Sequence, residues 1–454
     1  MPKSVFILKC TIFLLFFCSS LYLRNYIAFY ERAKFSFKKE IFCPKNNQSF
    51  SNDDYSKNDL ENECEYLWRG NRSAICRWIN YHGKINSSHK DETWAENLKD
   101  CDQWIKARGY PLEANSAEEA DFPIAYSISL YKDVDQVERL LRLIYWPQNL
   151  YCFHVDAKSP DYLHLAIQRL SRCFANVFVT KSEYVFWSHY SVLRASLNCL
   201  NDSATKYANH SWKFIINLSG QDFPLKTNRE FVAILKTFNN TNDVELAQEN
   251  QFSRYWYEHR LIFDKYGNLI THKPIFELFK LPIPYDLKIL KGNLAASLSR
   301  KFVEFMLNNA VSLAFIKWLE GTDTADEHLW ATLNYNVIRG YGIAPGGFDQ
   351  RCVNFSKLVH QRFVSRYVKW RDGNVQCHGK YVRDVCIFGV GDLANLISSD
   401  KTQFFANKFY TNYQTMAFYC MEKWMLNKIR RNATIDSERL IKTDGLYFNG
   451  KICM

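Results

Sequence analysis

The feature that most constrains the fold of this 454-residue chain is a regular alternation of strand-like and helix-like segments after Asp121. Compact apolar runs of strand length occupy residues 124–130, 151–155, 177–179 and 212–218. Between them, apolar residues recur at helical spacing in 134–144, 162–170 and 192–200. Strands that alternate with helices over short connections build a mainly parallel sheet covered on both faces. The sequence therefore predicts an α/β fold.

Polar residues follow two of these predicted strands directly, and they mark the expected site. Ligands of such sheets bind beyond the carboxyl ends of the strands, so we expect functional side chains among Asp156, Lys158, Gln221 and Asp222. The chain has no GxGxxG loop, no GxxxxGK[ST] loop and no GxSxG elbow. These absences argue against a dinucleotide site, a P-loop and a serine hydrolase.

An acidic DxD pair, Asp133 and Asp135, follows the first predicted strand and opens the first predicted helix. Such pairs hold divalent metals in many sugar transferases, but acidic residues also cap and stabilise helix N-termini. We favour the capping interpretation here. The cysteines lack paired CxxC spacing, so a structural zinc site is not expected.

The N-terminus contains an apolar stretch, residues 5–23, that is long enough to span a bilayer core if Lys9 reaches the interface. Either an uncleaved signal anchor or a cleaved signal peptide fits, and the lack of a clear small-x-small cleavage site favours the anchor. The Lys and Arg count around the stretch predicts the opposite orientation. Twelve of the fourteen cysteines lie after it, however, which indicates an oxidising compartment for the body. N-glycosylation sequons also follow the stretch, eight of them at Asn47, Asn71, Asn86, Asn201, Asn209, Asn239, Asn354 and Asn432.

The net charge of +11, from 58 Lys and Arg against 47 Asp and Glu, at first suggests a nucleic-acid partner. No Arg-rich run, RNA-binding aromatic motif or zinc spacing supports that suggestion. The excess lies instead in residues 1–39, with net +6, and in 362–454, with net +7. We therefore expect no nucleic acid among the partners.

Four longer segments give the chain a family resemblance: PQNLYCFHVDAKS (147–159), SGQDFPLKT (219–227), DEHLWAT (326–332) and VRDVCIFGVGDL (382–393). They resemble the core 2 / I-branching β-1,6-N-acetylglucosaminyltransferases over about residues 64–420. The resemblance implies a glycosyltransferase-A, Rossmann-like fold and a Golgi membrane protein of single-pass type II topology. It also implies inverting sugar transfer without a divalent metal or other cofactor. The related protein xylosyltransferases are the nearest competing assignment.

The resemblance also implies roles for individual residues. Glu327 falls on the catalytic base, which takes the proton of the attacking hydroxyl. Arg383 and Lys408 fall on the two cations that offset the charge of the departing UDP. Asp156 falls on the residue that holds the uridine or ribose. Acceptor contacts are implied for Glu245 and Trp370, the latter by stacking under a sugar ring.

The resemblance further implies four disulfides, Cys64–Cys420, Cys101–Cys173, Cys152–Cys199 and Cys377–Cys386, and leaves the pairing of Cys43, Cys76, Cys352 and Cys453 open. Domain boundaries are predicted from the patterning of the chain, because the polar, weakly patterned sequence from about residue 30 to 99 is typical of a stem that becomes ordered near Cys64. We expect a cytoplasmic tail at 1–8, a signal-anchor helix at 9–29, a lumenal stem at 30–100 and the catalytic domain at 101–454.

The expected partners are a UDP-sugar, an O-glycan of core 1 type on a glycoprotein and the membrane, with a homodimer left open. The chain departs from the family near the cleft: Leu294 replaces a small residue, an alanine replaces an aromatic residue, and Asp372 replaces a tyrosine. Because pocket shape selects the sugar, UDP-glucose and UDP-xylose stay alternatives to UDP-N-acetylglucosamine. A protein O-xylosyltransferase and a silent, lectin-like lumenal protein on the same fold also stay open.

Overall fold

The structure is a computed structural model that describes residues 43, 56–81, 94–247, 257–263, 269–348, 363–373 and 375–432. Its helices are α1 (Lys57–Trp68), α2 (Arg72–Ile79), α3 (Trp94–Asn97), α4 (Cys101–Arg108), α5 (Ala117–Ala120), α6 (Val134–Ile144), α7 (Asp161–Arg172), α8 (Ser191–Thr205), α9 (Asn228–Thr237), α10 (Arg300–Asn308), α11 (Ala310–Leu319), α12 (Leu329–Tyr335), α13 (Leu393–Leu396) and α14 (Thr415–Arg430). Its strands are β1 (Ile124–Leu130), β2 (Leu150–Val155), β3 (Val177–Val179), β4 (Phe214–Ser219), β5 (Asp222–Pro224), β6 (Asp243–Val244), β7 (Tyr257–Phe263), β8 (Leu269–Phe279), β9 (Ala296–Ser299), β10 (Val337–Ile338), β11 (Gly342–Ile343), β12 (Arg366–Val368), β13 (Lys380–Val382), β14 (Val385–Ile387) and β15 (Phe405–Asn407).

A six-stranded sheet of order β3-β2-β1-β4-β9-β6 forms the centre of the molecule. Its first four strands run parallel, as the alternating pattern predicts. β9 then pairs antiparallel with β4, and β6 pairs antiparallel with β9. The mixed α/β arrangement with a mainly parallel sheet fits the glycosyltransferase-A-like fold that the resemblance implies.

The predicted strands and helices agree closely with the structure where local periodicity is strong. β1, β3 and α6 have the predicted bounds, whereas β4 runs Phe214–Ser219 rather than 212–218. Along β1 the side chains alternate between two apolar clusters, with Tyr126 and Ile128 on one face and Ala125 on the other. Both faces of the sheet are thus buried, which is why these strands read as continuous apolar runs.

Each apolar cluster contains its own set of helices. One face of the sheet packs against α6, α7 and α9, and the other packs against α8, α10, α11 and α12. α6 is buried nearly all round because α14 covers its outer side, where Glu422 accepts from Arg142 at 2.5 Å and from Arg139 at 3.4 Å. Charged residues can be buried there because they are paired.

Smaller sheets accompany the six-stranded sheet. β12, β15 and β5 form a three-stranded sheet, with β12 parallel and β5 antiparallel to β15. β13 and β14 form a hairpin whose turn consists of Arg383 and Asp384, both at positive φ. Two-residue hairpin turns of this kind match the twist of the flanking strands. The hairpin therefore carries Arg383 at its tip.

Disulfides connect distant parts of the chain. The structure contains the four pairs that the resemblance implies: Cys64–Cys420, Cys101–Cys173, Cys152–Cys199 and Cys377–Cys386. Cys43 and Cys76 are also disulfide-bonded, whereas Cys352 and Cys453 lie outside the described residues. Cys64 belongs to α1 and Cys420 to α14, so helices within the segment predicted as stem are covalently joined to the last helix.

Five of the eight sequon asparagines lie in the described part of the chain and are exposed: Asn71, Asn201, Asn209, Asn239 and Asn432. Asn47, Asn86 and Asn354 lie outside it, as do the predicted tail at 1–8 and anchor at 9–29. Among the described helices, none alone has both the length and the hydropathy of a membrane span. The pair α10 and α11, bent by 77°, passes that test only when its two helices are taken together.

Candidate active site

A cleft of about 330 Å³ opens at the carboxyl ends of β1, β2 and β4, where the parallel sheet predicts a ligand site. Leu130, Asp156 and Ser219 line it from these strand ends. The opposite wall comes from later segments of the chain: Asn293, Leu294, Ala295, Arg366, Val368, Trp370, Val385 and Asn407. The lining is mostly apolar, with a few polar groups at its edges, which is typical of small-molecule sites.

Asp156 is held in a fixed orientation at the end of β2. Its carboxylate accepts hydrogen bonds from the backbone N–H of Lys158 at 2.9 Å and of Val185 at 3.3 Å. The ammonium of Lys158 pairs with the second carboxylate oxygen at 2.7 Å. The side chain borders the cleft, so the residue predicted to hold uridine or ribose lies where a ligand could reach it.

Glu327 lies in the helical turn Ala325–Glu327, directly before the buried helix α12. Its carboxylate is 29% exposed and lies 3.2 Å from the ammonium of Lys291. Its backbone carbonyl accepts from the N–H of Gly292 at 2.7 Å, which ties this turn to residues 291–293. Asn293 in the same segment lines the cleft. The predicted base is therefore partly accessible at one end of the cleft.

Glu245 lies next to the same segment, and Gly292 explains how the two carboxylates come together. A Cβ at residue 292 would collide with the carbonyl oxygen of Glu245, so only glycine permits this approach. Burial, and then the negative charges of Glu327 and Asp243, raise the pKa of Glu245 above its usual value. A hydrogen bond from Asn293 and the charge of Lys291 oppose that shift. Glu245 and Glu327 thus form an acidic pair beside the lining residue Asn293, and we call this part the acidic end of the cleft.

Two cations lie beside other lining residues, and we call this part the cationic end of the cleft. Lys408 follows the lining residue Asn407, and Arg383 lies two residues before the lining residue Val385. Burial lowers the pKa of Lys408, and the positive charges of Arg383 and Lys132 lower it further, while Asp222 opposes the shift. The structure therefore brings the two predicted diphosphate-binding cations close together.

Trp370 is 46% exposed and borders the cleft, so it is not part of the hydrophobic core. Its backbone pairs with Val385, which places it beside the hairpin that carries Arg383. The departures from the family also fall at the cleft. Leu294 lines it, and its carbonyl accepts from Trp330 Nε1 at 3.0 Å, whereas Asp372 is exposed.

The DxD pair is engaged within the protein, as the capping interpretation predicts. Asp133 caps α6 through the N–H of Gln136 at 3.0 Å and also accepts a hydrogen bond from the Thr411 hydroxyl. Asp135 pairs with Arg139 at 2.8 Å on the same helix. Asp133 therefore joins the start of α6 to Thr411, whereas the ion pair of Asp135 lies within α6.

Asp222 has a different role from the one its position after a strand suggested. It is 2% exposed and ion-paired with Arg366 of β12, and it accepts from Asn407 Nδ2 at 2.7 Å and Ser219 N–H at 2.6 Å. Its oxygens are thus occupied by protein donors that join β5, β12 and β15. Asp222 therefore positions the backbone next to Lys408, and its carboxylate is engaged by the protein instead of contacting a bound ligand.

Two residues near the cationic end were not singled out from the sequence. Lys132 lies with its ammonium 3.9 Å from the ring centre of Tyr410. Trp187 is 70% exposed, and its ring lies 5.7 Å from the guanidinium carbon of Arg383. The only sequence signal for Lys132 was its place just after the first predicted strand. The acidic pair Asp133 and Asp135 follows it directly, and a role was assigned from the sequence to that pair alone.

Comparison with known proteins identifies the family to which the chain is similar. Residues 124–397 match the model of the Core-2/I-Branching enzyme family. The mouse "Beta-1,3-galactosyl-O-glycosyl-glycoprotein beta-1,6-N-acetylglucosaminyltransferase 4" is 36% identical over 362 residues, which cover 76% of this chain and 74% of the mouse protein. The human "N-acetyllactosaminide beta-1,6-N-acetylglucosaminyl-transferase" is 37% identical over 329 residues, 71% of this chain and 77% of the human protein.

Proposed function

The chain belongs to the Core-2/I-branching enzyme family of glycosyltransferases, and from this premise we propose which transfer it performs. The reaction is metal-independent, inverting transfer of a hexose or N-acetylhexosamine from a UDP-sugar to an O-glycan of core 1 type. The observation that carries the proposal is the two-ended cleft. Carboxylates at one end, and at the other two cations that form no ion pair with a carboxylate in the described part of the chain, match the proton acceptor and leaving-group stabiliser that such a transfer needs.

In the proposed reaction, the acceptor hydroxyl attacks the anomeric carbon from the side opposite UDP. Glu327 takes the hydroxyl proton as the new C–O bond forms, and UDP departs with the electron pair of the broken bond. Arg383 and Lys408 stabilise the negative charge that develops on the diphosphate. Asp156 binds the uridine or ribose, while Glu245 and Trp370 contact the acceptor.

Independence from metal is supported by the electrostatics of this chain's own side chains. Cations occupy the end of the cleft where a diphosphate would bind, and the DxD carboxylates are engaged with α6, Thr411 and Arg139. We therefore propose that transfer needs neither a divalent cation nor another cofactor. The charge of the leaving group is then offset by the protein alone.

UDP-N-acetylglucosamine is the proposed default donor because both relatives named above are N-acetylglucosaminyltransferases. Their printed names give different acceptors, a β-1,3-galactosyl O-glycan and an N-acetyllactosaminide, at nearly equal identity to this chain. Leu294 at the cleft is the departure that bears most directly on the donor. A donor screen therefore belongs in the first experiment.

The test is to incubate the purified full-length chain with core 1 acceptor, EDTA and, in turn, UDP-N-acetylglucosamine, UDP-glucose and UDP-xylose. We expect transfer from one donor, and a loss of about 10²–10⁴-fold in Glu327→Gln with UDP binding retained. Glu304→Gln on α10, whose carboxylate pairs with Arg300, is the matched control and should keep full activity.

Each alternative outcome has a distinct meaning. Full activity in Glu327→Gln would refute the assigned base, and strict dependence on added manganese would refute metal independence. UDP binding without transfer from any donor would favour the lectin-like alternative. Direct xylosylation of a serine peptide would favour a protein xylosyltransferase.

We also propose a Golgi membrane protein of single-pass type II topology, with the catalytic domain in the lumen and a homodimer left open. Exposed sequon asparagines and disulfides such as Cys64–Cys420 support an oxidising, glycosylating compartment for the body. Treatment of the cellular protein with a peptide N-glycosidase should increase its gel mobility. An unchanged mobility would contradict the lumenal placement.

A further inference from the structure

The cationic end of the cleft contains a third cation, the ammonium of Lys132, which neither the family resemblance nor the proposed function uses. Lys132 lies on the turn between β1 and α6, at the carboxyl edge of the sheet. Its ammonium is 3.9 Å from the ring centre of Tyr410, and the ammonium of Lys408 is 5.9 Å from the centre of the same ring. We infer that Lys132 binds the diphosphate of the UDP-sugar together with Arg383 and Lys408. This inference rests on the proposed function.

Hydrogen bonds hold Lys132 against the segment that carries Lys408. The hydroxyl of Thr411 donates to Asp133, and the side chain of Gln136 donates to the carbonyl of Phe409 at 2.9 Å. The β1–α6 turn is thus fixed to residues 409–411 on both sides of Tyr410. The backbone next to Lys132 is therefore held beside residues 409–411, and the Lys132 ammonium lies against the ring of Tyr410 between them.

The residues around Lys132 connect the β1–α6 turn to the cleft. Its neighbour Tyr131 lines the cleft, and the Tyr131 hydroxyl accepts from Gln221 Nε2 at 3.3 Å. The aromatic rings of Tyr131 and Tyr410 both lie within 5.4 Å of the Lys132 ammonium. Ring faces attract an ammonium without neutralising its charge, so that charge stays available to an anion.

Like charges accumulate here without carboxylate partners. Within the described ranges, no carboxylate forms an ion pair with Lys132, Arg383 or Lys408. The nearby acids are engaged elsewhere, Asp133 as a helix cap and Asp222 with Arg366. Burial and the charges of Arg383 and Lys132 lower the pKa of Lys408. A bound diphosphate would relieve this repulsion, because its negative charges lie among the three cations.

Lys132 would act on the leaving group of the transfer. The bond between the anomeric carbon and the β-phosphate oxygen breaks, and its electron pair departs on UDP while the hydroxyl proton passes to Glu327. Charge therefore grows on the β-phosphate, and an ammonium near it stabilises both bound UDP and the transition state.

The experiment compares UDP and UMP binding to Lys132→Met by calorimetry, with the full-length protein in EDTA. Methionine keeps the length of the side chain and removes its charge. We expect the Kd of UDP to rise about tenfold, the equivalent of one charge-assisted contact, and the Kd of UMP to change less than about twofold. Lys132→Arg should keep the affinity for UDP. Lys132→Gln serves as a second charge-removing variant if the methionine variant does not fold.

Lys301→Met is the matched control. Lys301 is exposed on α10, whose first residue hydrogen-bonds to Lys213 just before the amino end of β4, opposite the cleft. The substitution Lys301→Met removes the same charge from the molecule as Lys132→Met. An unchanged Kd of UDP in this control therefore shows that the effect of Lys132→Met is local. A loss in this control equal to that in Lys132→Met would overturn the inference.

The remaining outcomes separate this inference from the proposed function. Equal UDP affinity in wild type and Lys132→Met overturns the role of Lys132 alone. An equal loss for UMP and UDP overturns the diphosphate contact, because UMP lacks the β-phosphate. A wild-type protein that neither binds UDP nor transfers sugar overturns the proposed function, and this inference with it.

Discussion

Asp135 shows that a buried carboxylate can lower stability even when it is ion-paired. Its side chain is 12% exposed beside Arg139. Burial raises the pKa of Asp135 to about 6, and Asp133 and Glu138 add to the shift, while Arg139 opposes it. A pKa above the unfolded value of 3.8 means that the folded state favours the protonated acid.

This shift predicts a decline in stability between pH 4 and pH 7. The contribution of Asp135 is fully present below pH 4, where both states bind the proton, and is lost as pH rises through 6. A shift of about two units is worth roughly 3 kcal/mol. Denaturant titration measures the unfolding free energy of wild type and of Asp135→Asn at each pH. We expect the difference, wild type minus variant, to fall by about 3 kcal/mol between pH 4 and pH 7. A difference independent of pH would contradict the assignment.

Individual residues also show what sequence can and cannot predict about a site. The capping role of Asp133 was predictable because its partner, the N–H of Gln136, is three residues away. The ion pair of Asp222 with Arg366 was not, because 144 residues separate the two and no local pattern connects them. Lys132 was missed for the same reason, since its ammonium contacts the ring of Tyr410, which is far away in the sequence.

At the scale of elements, the hairpin β13–β14 places Arg383 at the cleft. The tip residues Arg383 and Asp384 both have positive φ, which costs free energy for residues other than glycine. The Cys377–Cys386 disulfide ties β14 to the residues before β13, and Asp384 pairs with Arg371 at 2.7 Å. That pair is exposed on both sides and contributes little. We therefore expect the disulfide to be the main constraint on the hairpin.

Replacing both cysteines by serine, Cys377→Ser with Cys386→Ser, should raise the Kd of UDP. Loss of one well-placed charged contact corresponds to about tenfold, measurable by calorimetry. The matched control is Cys101→Ser with Cys173→Ser, which opens the disulfide between α4 and the end of α7. It should lower stability without changing the Kd. If both double variants bind UDP like wild type, the disulfide does not position Arg383.

The elements that sequence predicted well are those with strong local periodicity. β1 and β2 were found within one residue of their ends because burial of both sheet faces leaves long apolar runs, and α6 was found because its apolar residues recur at helical spacing. β6 and β12 have two and three residues, too few to establish a period. Their pairing depends on contacts between distant segments, such as Asp243 with the backbone of Val364 and Ser365.

At the scale of the whole molecule, the N-terminal helices change the expected boundary between stem and body. α1 and α2 lie within the predicted stem, 30–100, yet Cys64 of α1 is disulfide-bonded to Cys420 of α14. Glu61 of α1 also pairs with Lys423 at 2.9 Å. Polar, weakly patterned sequence predicted a stem here, because the contacts that fix these helices come from the other end of the chain.

The long loop closed by Cys64–Cys420 predicts an order of stability among disulfide variants. Cys64–Cys420 spans 356 residues and Cys377–Cys386 spans nine. If a disulfide acts by limiting the unfolded chain, stabilisation grows with the logarithm of loop length, and the longer loop is worth about 3 kcal/mol more. We expect Cys64→Ser with Cys420→Ser to lower the unfolding free energy more than Cys377→Ser with Cys386→Ser, as measured by denaturant titration under identical conditions. An equal loss would show that local contacts around each bridge, and not closure of the chain, determine its contribution.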